Sequence, residues 1–210
     1  ASVLTALLPD PTGYGRIMRG DDGVITKIIE EKDASESERD IDEINTGVYL
    51  FELPVIRNVI NQLRSDNSQK ELYLTDVIEL INKAGDRPYA ILSNDYTETL
   101  GVNDRTQLAE CQAIMRDRIN YLHMQNGVSI IDPTTTWIDA GVEIEEDVLI
   151  YPGTVITGKT KIKSAAVIGP RTTLDSCTVG EGAKVIESHC TDSKIGKGAK
   201  IGPFTYLRKG

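Results

Sequence analysis

The chain has 210 residues, 40% of them hydrophobic and 26% charged, with a formal net charge of −9. That acidity excludes nucleic acid or an anionic membrane as the main partner, since both need clustered Lys and Arg. No stretch approaches the roughly 18 consecutive apolar residues of a membrane span, and the first residues do not read as a signal peptide. Residues 1–8 form an apolar, strand-like run closed by the turn signal Asp10-Pro11-Thr12-Gly13. A second strand follows Asp22-Gly23 over 24–30, and the acid-rich stretch 30–42 reads as a solvated loop. A third strand, rich in β-branched and aromatic residues, covers 44–51. Proline favours a first helical turn, so a helix is predicted from Pro54 through Ile56, Ile60 and Leu63. Thr75-Asp76 is a plausible cap for a helix over 77–82, and 89–92 reads as a further strand. Strands alternating with helices imply a layered α/β domain.

A long helix is predicted over 104–125. Leu108, Cys111, Met115, Ile119 and Leu122 recur at spacings of three and four, an apolar stripe expected to face a core. Asn126-Gly127 suits a left-handed stop. From Ile138 onward the rhythm changes. An aliphatic residue returns every sixth position at Ile144, Ile150, Ile156, Ile162, Ile168 and Leu174, slips by one to Val179, and recurs at Val185, Ile195, Ile201 and Leu207. Neither a helix near 3.6 nor a strand at 2 gives a period of six. Short parallel strands coiled into a three-sided prism do, with the aliphatic residue inward and a small residue, often four places later, in the corner. The fold class is therefore α/β followed by a left-handed parallel β-helix of hexapeptide repeats. The predicted organisation is 1–103, a linker helix over 104–127, and the β-helix over 128–210.

The three cysteines, Cys111, Cys177 and Cys190, form no CxxC pair, so reduced thiols are expected and no zinc site follows. The two histidines, His123 and His189, lie far apart in sequence and carry no signal of their own. The chain begins without Met inside an apolar run and stops at Gly210 partway through a hexad, as an excised fragment would.

Five strings occur in order: PTGYGR (11–16), IIEEKDA (28–34), EINTGVYLF (43–51), ELYLTD (71–76) and LGVNDRTQL (100–108), followed by the long helix and the hexads. In that order and spacing the whole chain resembles the bacterial bifunctional N-acetylglucosamine-1-phosphate uridyltransferase/glucosamine-1-phosphate acetyltransferase family. The resemblance implies the latter half of a Rossmann-like pyrophosphorylase domain joined to the opening coils of an acetyltransferase β-helix. It implies uridylyl transfer from UTP to N-acetylglucosamine 1-phosphate, acetyl transfer from acetyl-CoA to glucosamine 1-phosphate, and UDP-N-acetylglucosamine as product for cell-wall precursors. Mg²⁺, a homotrimer formed through the β-helix and a cytoplasmic location go with it. The family's glycine-rich nucleotide loop, metal-binding aspartate and acetyltransferase histidine have no counterpart in these 210 residues. No catalytic residue is therefore expected within the fragment, and it should not turn over UTP by itself. Two other readings of the architecture stand beside this one: another sugar-nucleotide pyrophosphorylase with a regulatory β-helix, and a non-catalytic assembly module.

Carried over residue by residue, the resemblance places sugar contact on the Gly15 backbone, on Glu30 and on Asn45. Each has a plainer reading: a turn glycine that admits positive φ, an exposed acid, and a loop cap. A carboxylate can accept two hydroxyl hydrogens, and an amide offers both a donor and an acceptor. Glu31 should face away from the sugar if the second strand continues through it. Tyr73 and Thr75 fall near the expected pocket, although Thr75 has adequate work as a helix cap. Asn103 would bind UDP-N-acetylglucosamine through Mg²⁺ shared with the missing aspartate, yet it also sits where an N-cap belongs. Arg208 would bind the phosphosugar of the acetyltransferase site, a task suited to a planar multi-donor cation. Lys209, where proline is common in the family, leaves a solvated terminal arginine as the competing reading.

Overall fold

The computed structural model describes residues 1–209, which divide into two units, Ala1–Asn103 and Asp104 onward. In the first unit, β1 (Ser2–Leu7), β2 (Arg16–Arg19), β3 (Ile25–Ile29), β4 (Glu43–Leu50) and β5 (Tyr89–Leu92) form one sheet in the order β3-β2-β4-β1-β5. β1 lies antiparallel to β4, with Thr5 opposite Asn45, and parallel to β5. β2 is antiparallel to both β3 and β4. The short helix α1 spans Glu36–Arg39, α2 spans Leu53–Val59, and α3 spans Asp76–Lys83.

The face of α3 that carries Val77, Ile78 and Ile81 is fully buried. Ile78 packs with Val3, Ile17, Ile25 and Ile28 of the sheet, while Val77 and Ile81 pack with Val59 of α2. α3 runs along the edge strand β3 in the opposite sense, and Asn82 Nδ2 donates to the Ile25 carbonyl at 3.0 Å.

Two elements escape the sequence pattern. β2 has only four residues with an arginine at each end, too little apolar signal for a strand. α1 lies inside the stretch read as a solvated loop. Its signal was present: Ser35 and Glu38 form a capping box, with the Ser35 N–H donating to Glu38 Oε2 at 2.9 Å.

The second unit opens with helix α4 (Arg105–Gln125), and its strands of two or three residues stack into three parallel sheets of five, five and four strands. This is the left-handed hexapeptide β-helix. Ile144 pairs with Ile162 one coil on, and Ile150, Ile156, Ile162, Ile168, Leu174, Val179 and Val185 are at most 1% exposed. The corners are filled by Val148, Thr154, Thr160, Ala166 and Thr172, all fully buried. Their hydroxyls are satisfied locally, as in Thr154 to the Tyr151 carbonyl and Thr160 to Thr157, both 2.7 Å.

The slip in the repeat has a definite form. Leu174 stacks on Cys190 and Val179 on Ile195, so Cys190 is the inward residue missing from the aliphatic series between Val185 and Ile195. Each shortened step tightens its corner. The left-handed residue moves forward by one, to Ser176, Glu187 and Asp192, and the buried corner residues become Cys177, Ser188 and Ser193.

The predicted stripe on α4 is only partly used: Ile119 packs against the β-helix core, but most of the stripe does not. Leu108, Met115 and Leu122 are 45%, 51% and 61% exposed, and the fully buried residue is Asn120. Beside the contact of Ile119 with the core, the first coil presents carbonyls to the helix. Asn120 Nδ2 donates to Pro133 and Thr136 at 3.0 Å, Arg116 donates to Thr134 at 2.9 Å, and its guanidinium lies 5.1 Å from the Trp137 ring centroid. Polar side chains and Ile119 together dock this helix.

Burial pushes the Cys190 thiol up to about 11, with the neighbouring Cys177 adding to the shift, and burial also raises Cys177. Cys111 is half-buried on α4. An Ellman titration of the native chain should therefore report one fast thiol of the three, with Cys177 and Cys190 reacting only after denaturation. Reaction of Cys190 at the rate of Cys111 would mean the coil is not closed around it.

Candidate functional site

Gly15 immediately precedes β2, and its carbonyl accepts the Asn45 N–H at 2.8 Å. It is buried, and its φ is not in the left-handed region; that conformation belongs to Gly13, at φ 87°. What Gly15 supplies is space. A Cβ there would come within 3.2 Å of Ile28 Cγ2 and 3.5 Å of Glu30 Oε2. The glycine and the carboxylate thus face each other across neighbouring strand ends.

Glu30 is half-buried beyond the end of β3 and lines a cavity of about 840 Å³ together with Asp33, Arg64, Asn67, Tyr73 and Asp76. Its Oε1 accepts a hydrogen bond from Thr75 Oγ1 at 3.0 Å. Thr75 precedes α3, but its side chain makes no capping bond. The predicted cap function of that hydroxyl is therefore replaced by a link to Glu30. Asn45 sits on β4, its Oδ1 accepting from the Gly47 N–H at 3.0 Å. Burial pushes the nearby Tyr49 phenol up to about 12, against the pull of the Asn45 side chain and with the Glu30 charge adding to it. The structure thus brings Gly15, Glu30, Asn45 and Thr75 together.

Glu31 has a partner of its own. β3 ends at Ile29, so the alternation of a strand no longer applies to residues 30 and 31. Instead Glu31 pairs at 2.8 Å with Arg16, whose side chain is only 2% exposed. Arg16 also donates to the Tyr14 carbonyl and, at 3.4 Å, to that of Arg39, while Arg39 Nη2 reaches the Glu31 carbonyl at 3.3 Å. No sequence pattern marks this network, because an arginine after a glycine turn is ordinarily solvated.

Asn103 is not the helix cap. Asp104 is, its Oδ1 accepting from the Gln107 N–H at 2.8 Å. The loop before Asn103 is tied to the glycine turn, since the Gly101 N–H donates to Tyr14 Oη at 3.0 Å. Tyr14 and Leu100 both pack on the Ala6, Leu8 and Ile44 cluster. Arg208 belongs to the second unit, where it is exposed beside a shallow cavity of about 250 Å³ with Asp192, Ser193 and Lys209.

A layered α/β unit is followed in the chain by a hexapeptide β-helix, and the first unit is of the nucleotidyl transferase class. The chain belongs to the nucleotidyl transferase family, whose model matches residues 1–143. It is 50% identical over 210 residues to the bifunctional protein GlmU of Mycolicibacterium smegmatis, covering all of this chain and 44% of that protein. Bifunctional protein GlmU of Corynebacterium efficiens is 51% identical over 209 residues, and that of Paenarthrobacter aurescens 49%; the matches cover 43% and 42% of those proteins. The chain thus spans less than half the length of these relatives.

Glu30 and Glu31 should separate cleanly in a stability measurement. Glu31→Ala strands the buried Arg16 and should cost about 3 kcal/mol, the low end for a broken buried pair because 26% of Glu31 is exposed. Glu30→Ala removes one hydrogen bond and should cost about 1 kcal/mol. Urea midpoints in the reverse order would mean that Arg16 is not held by Glu31.

Proposed function

We propose that this chain is part of a bifunctional enzyme of UDP-N-acetylglucosamine synthesis. One activity joins UTP and N-acetylglucosamine 1-phosphate; the other acetylates glucosamine 1-phosphate with acetyl-CoA. The observation that carries this reading is the convergence of Gly15, Glu30 and Asn45, from three separate strings of the sequence, on one site beside a cavity. In uridylyl transfer the sugar-phosphate oxygen attacks the α-phosphorus of UTP in line and pyrophosphate leaves. The work of these residues is to hold the acceptor in place. Glu30 accepts sugar hydroxyl hydrogens, the Asn45 amide meets a hydroxyl or the acetamido group, and the Gly15 backbone closes on the ring.

Asn103 would offer one amide oxygen to Mg²⁺, a cation that prefers hard oxygen ligands in an octahedron and neutralises phosphate charge when bound. Among the described residues no group of three or more His, Cys, Asp or Glu is placed to hold a metal ion. The described residues do not by themselves make that site. Arg208 would meet the phosphate of glucosamine 1-phosphate on the β-helix. Exposed Ile186, Phe204 and Tyr206 offer apolar surface that a homotrimer would cover. No described helix is long and apolar enough to cross a membrane, in keeping with work in the cytoplasm on soluble substrates.

Glu30→Ala in the complete enzyme tests the reading. Loss of charge-assisted bonds worth about 1.5–3 kcal/mol should lower kcat/KM for N-acetylglucosamine 1-phosphate roughly ten- to a hundredfold. Acetyl transfer, assayed in the same sample, should stay near the wild-type rate. Equal damage to both reactions would make Glu30 structural.

A further inference from the structure

We infer that Thr75 is a positioning residue for uridylyl transfer, acting on the sugar through Glu30 rather than by touching it. The inference rests on the reading of Glu30 as the acceptor of sugar hydroxyl hydrogens. Glu30 stands beyond the last residue of β3, where the strand no longer restrains it. A glutamate there has three rotatable bonds, and a carboxylate free to swing would accept from water as readily as from substrate. Two features of the structure remove that freedom.

The first is the hydrogen bond from Thr75. Thr75 is 6% exposed, so its hydroxyl is shielded from competing water, and its proton is committed to Glu30 Oε1 at 3.0 Å. A threonine just before a helix would ordinarily turn its oxygen toward the free N–H groups of the first turn. Here it makes no such bond. The hydroxyl that the helix could have used serves a residue 45 positions earlier in the chain.

The second is the rigidity of the element that carries it. Val77, Ile78 and Ile81 are completely buried, and Asn82 ties the far end of α3 to Ile25 at the start of β3. Thr75 to Glu30 is the matching tie at the near end. With Oε1 taken, Oε2 is the oxygen that lies against Gly15, 3.5 Å from where a Cβ would stand. The carboxylate is thereby oriented before substrate arrives, which lowers the ordering cost of binding.

The test is a double-mutant cycle in the complete enzyme, with N-acetylglucosamine 1-phosphate as the varied substrate. Thr75→Val keeps the shape and removes the donor, and it should raise KM about tenfold with kcat changed less than about threefold. Thr75→Ser keeps the donor and should restore KM to within about twofold of wild type. In a Glu30→Ala background, Thr75→Val should add nothing, because the group it positions is gone. Thr75→Ala serves in the same cycle if the valine variant does not fold. A wild-type KM in Thr75→Val, while Glu30→Ala raises KM, would overturn the positioning role and leave the sugar site intact. Full multiplication of the two effects would also overturn it, since Thr75 would then touch the sugar directly. A wild-type KM in Glu30→Ala would remove the sugar-site reading and this inference together.

Discussion

Arg16 is buried directly after Gly15, and a guanidinium cannot leave water without a partner to meet its charge. That requirement organises the first unit. Glu31 answers it at 2.8 Å, and the carbonyls of Tyr14 and Arg39 take further donors. Once Glu31 is held, the turn that follows β3 is held, and so is the backbone of Glu30. Arg39 closes the loop from the other side through the Glu31 carbonyl. Further along the same turn, Asp33 accepts from the Ser68 N–H at 2.9 Å and Lys32 meets Gln69 at 2.6 Å. Gly15 and Glu30, proposed to meet the sugar, therefore sit beside a fixed polar network. Acidic groups gather in the cavity that Glu30 lines, and burial together with Glu79, Glu30 and Asp33 raises the carboxyl of Asp76.

The second unit is built on a different principle. Its core is a column of aliphatic side chains closed by small corner residues whose hydroxyls bond to nearby carbonyls. Each coil needs only its neighbours, so the unit tolerates the loss of a residue wherever a corner can tighten. At the shortened steps the buried corner residue comes one place sooner, as Cys177, Ser188 and Ser193, and the inward column continues through Cys190. Charge is kept outside, in pairs such as Lys161 with Glu143 and Lys163 with Glu145 on successive coils. Pairs as exposed as these contribute little stability. The column does the work.

What could be read in the sequence follows from these two principles. A β-helix repeats its core residue at a fixed interval, so Ile138 to Leu174 declare the fold without any structure. The period breaks where the interval shortens and a cysteine replaces an aliphatic residue. Strands β1, β3, β4 and β5 were visible as apolar runs, whereas β2 was too short and too charged. On α4 the stripe of Leu108, Met115 and Leu122 was real as a period and misleading as a face. Hydrogen bonds from Asn120 and Arg116, together with the contact of Ile119 on the core, mark the side that docks. In the candidate site, Gly15, Glu30 and Asn45 were legible only through the resemblance of their strings, since single polar residues have no periodicity to betray them. The contacts of Glu31 and Thr75 leave no mark in the sequence for one reason. Their work is done on partners distant in sequence, Arg16 and Glu30, and local pattern assigns each a plausible local role.

A crystal structure of the complete enzyme bound to UDP-N-acetylglucosamine is the most direct measurement. Glu30 should keep Thr75 on one carboxylate oxygen while the other lies within about 2.5–3.0 Å of a sugar hydroxyl. The sugar should rest against the Gly15 backbone and the Asn45 amide. A sugar bound elsewhere, with Glu30 meeting only Thr75 and solvent, would contradict the site built from these residues.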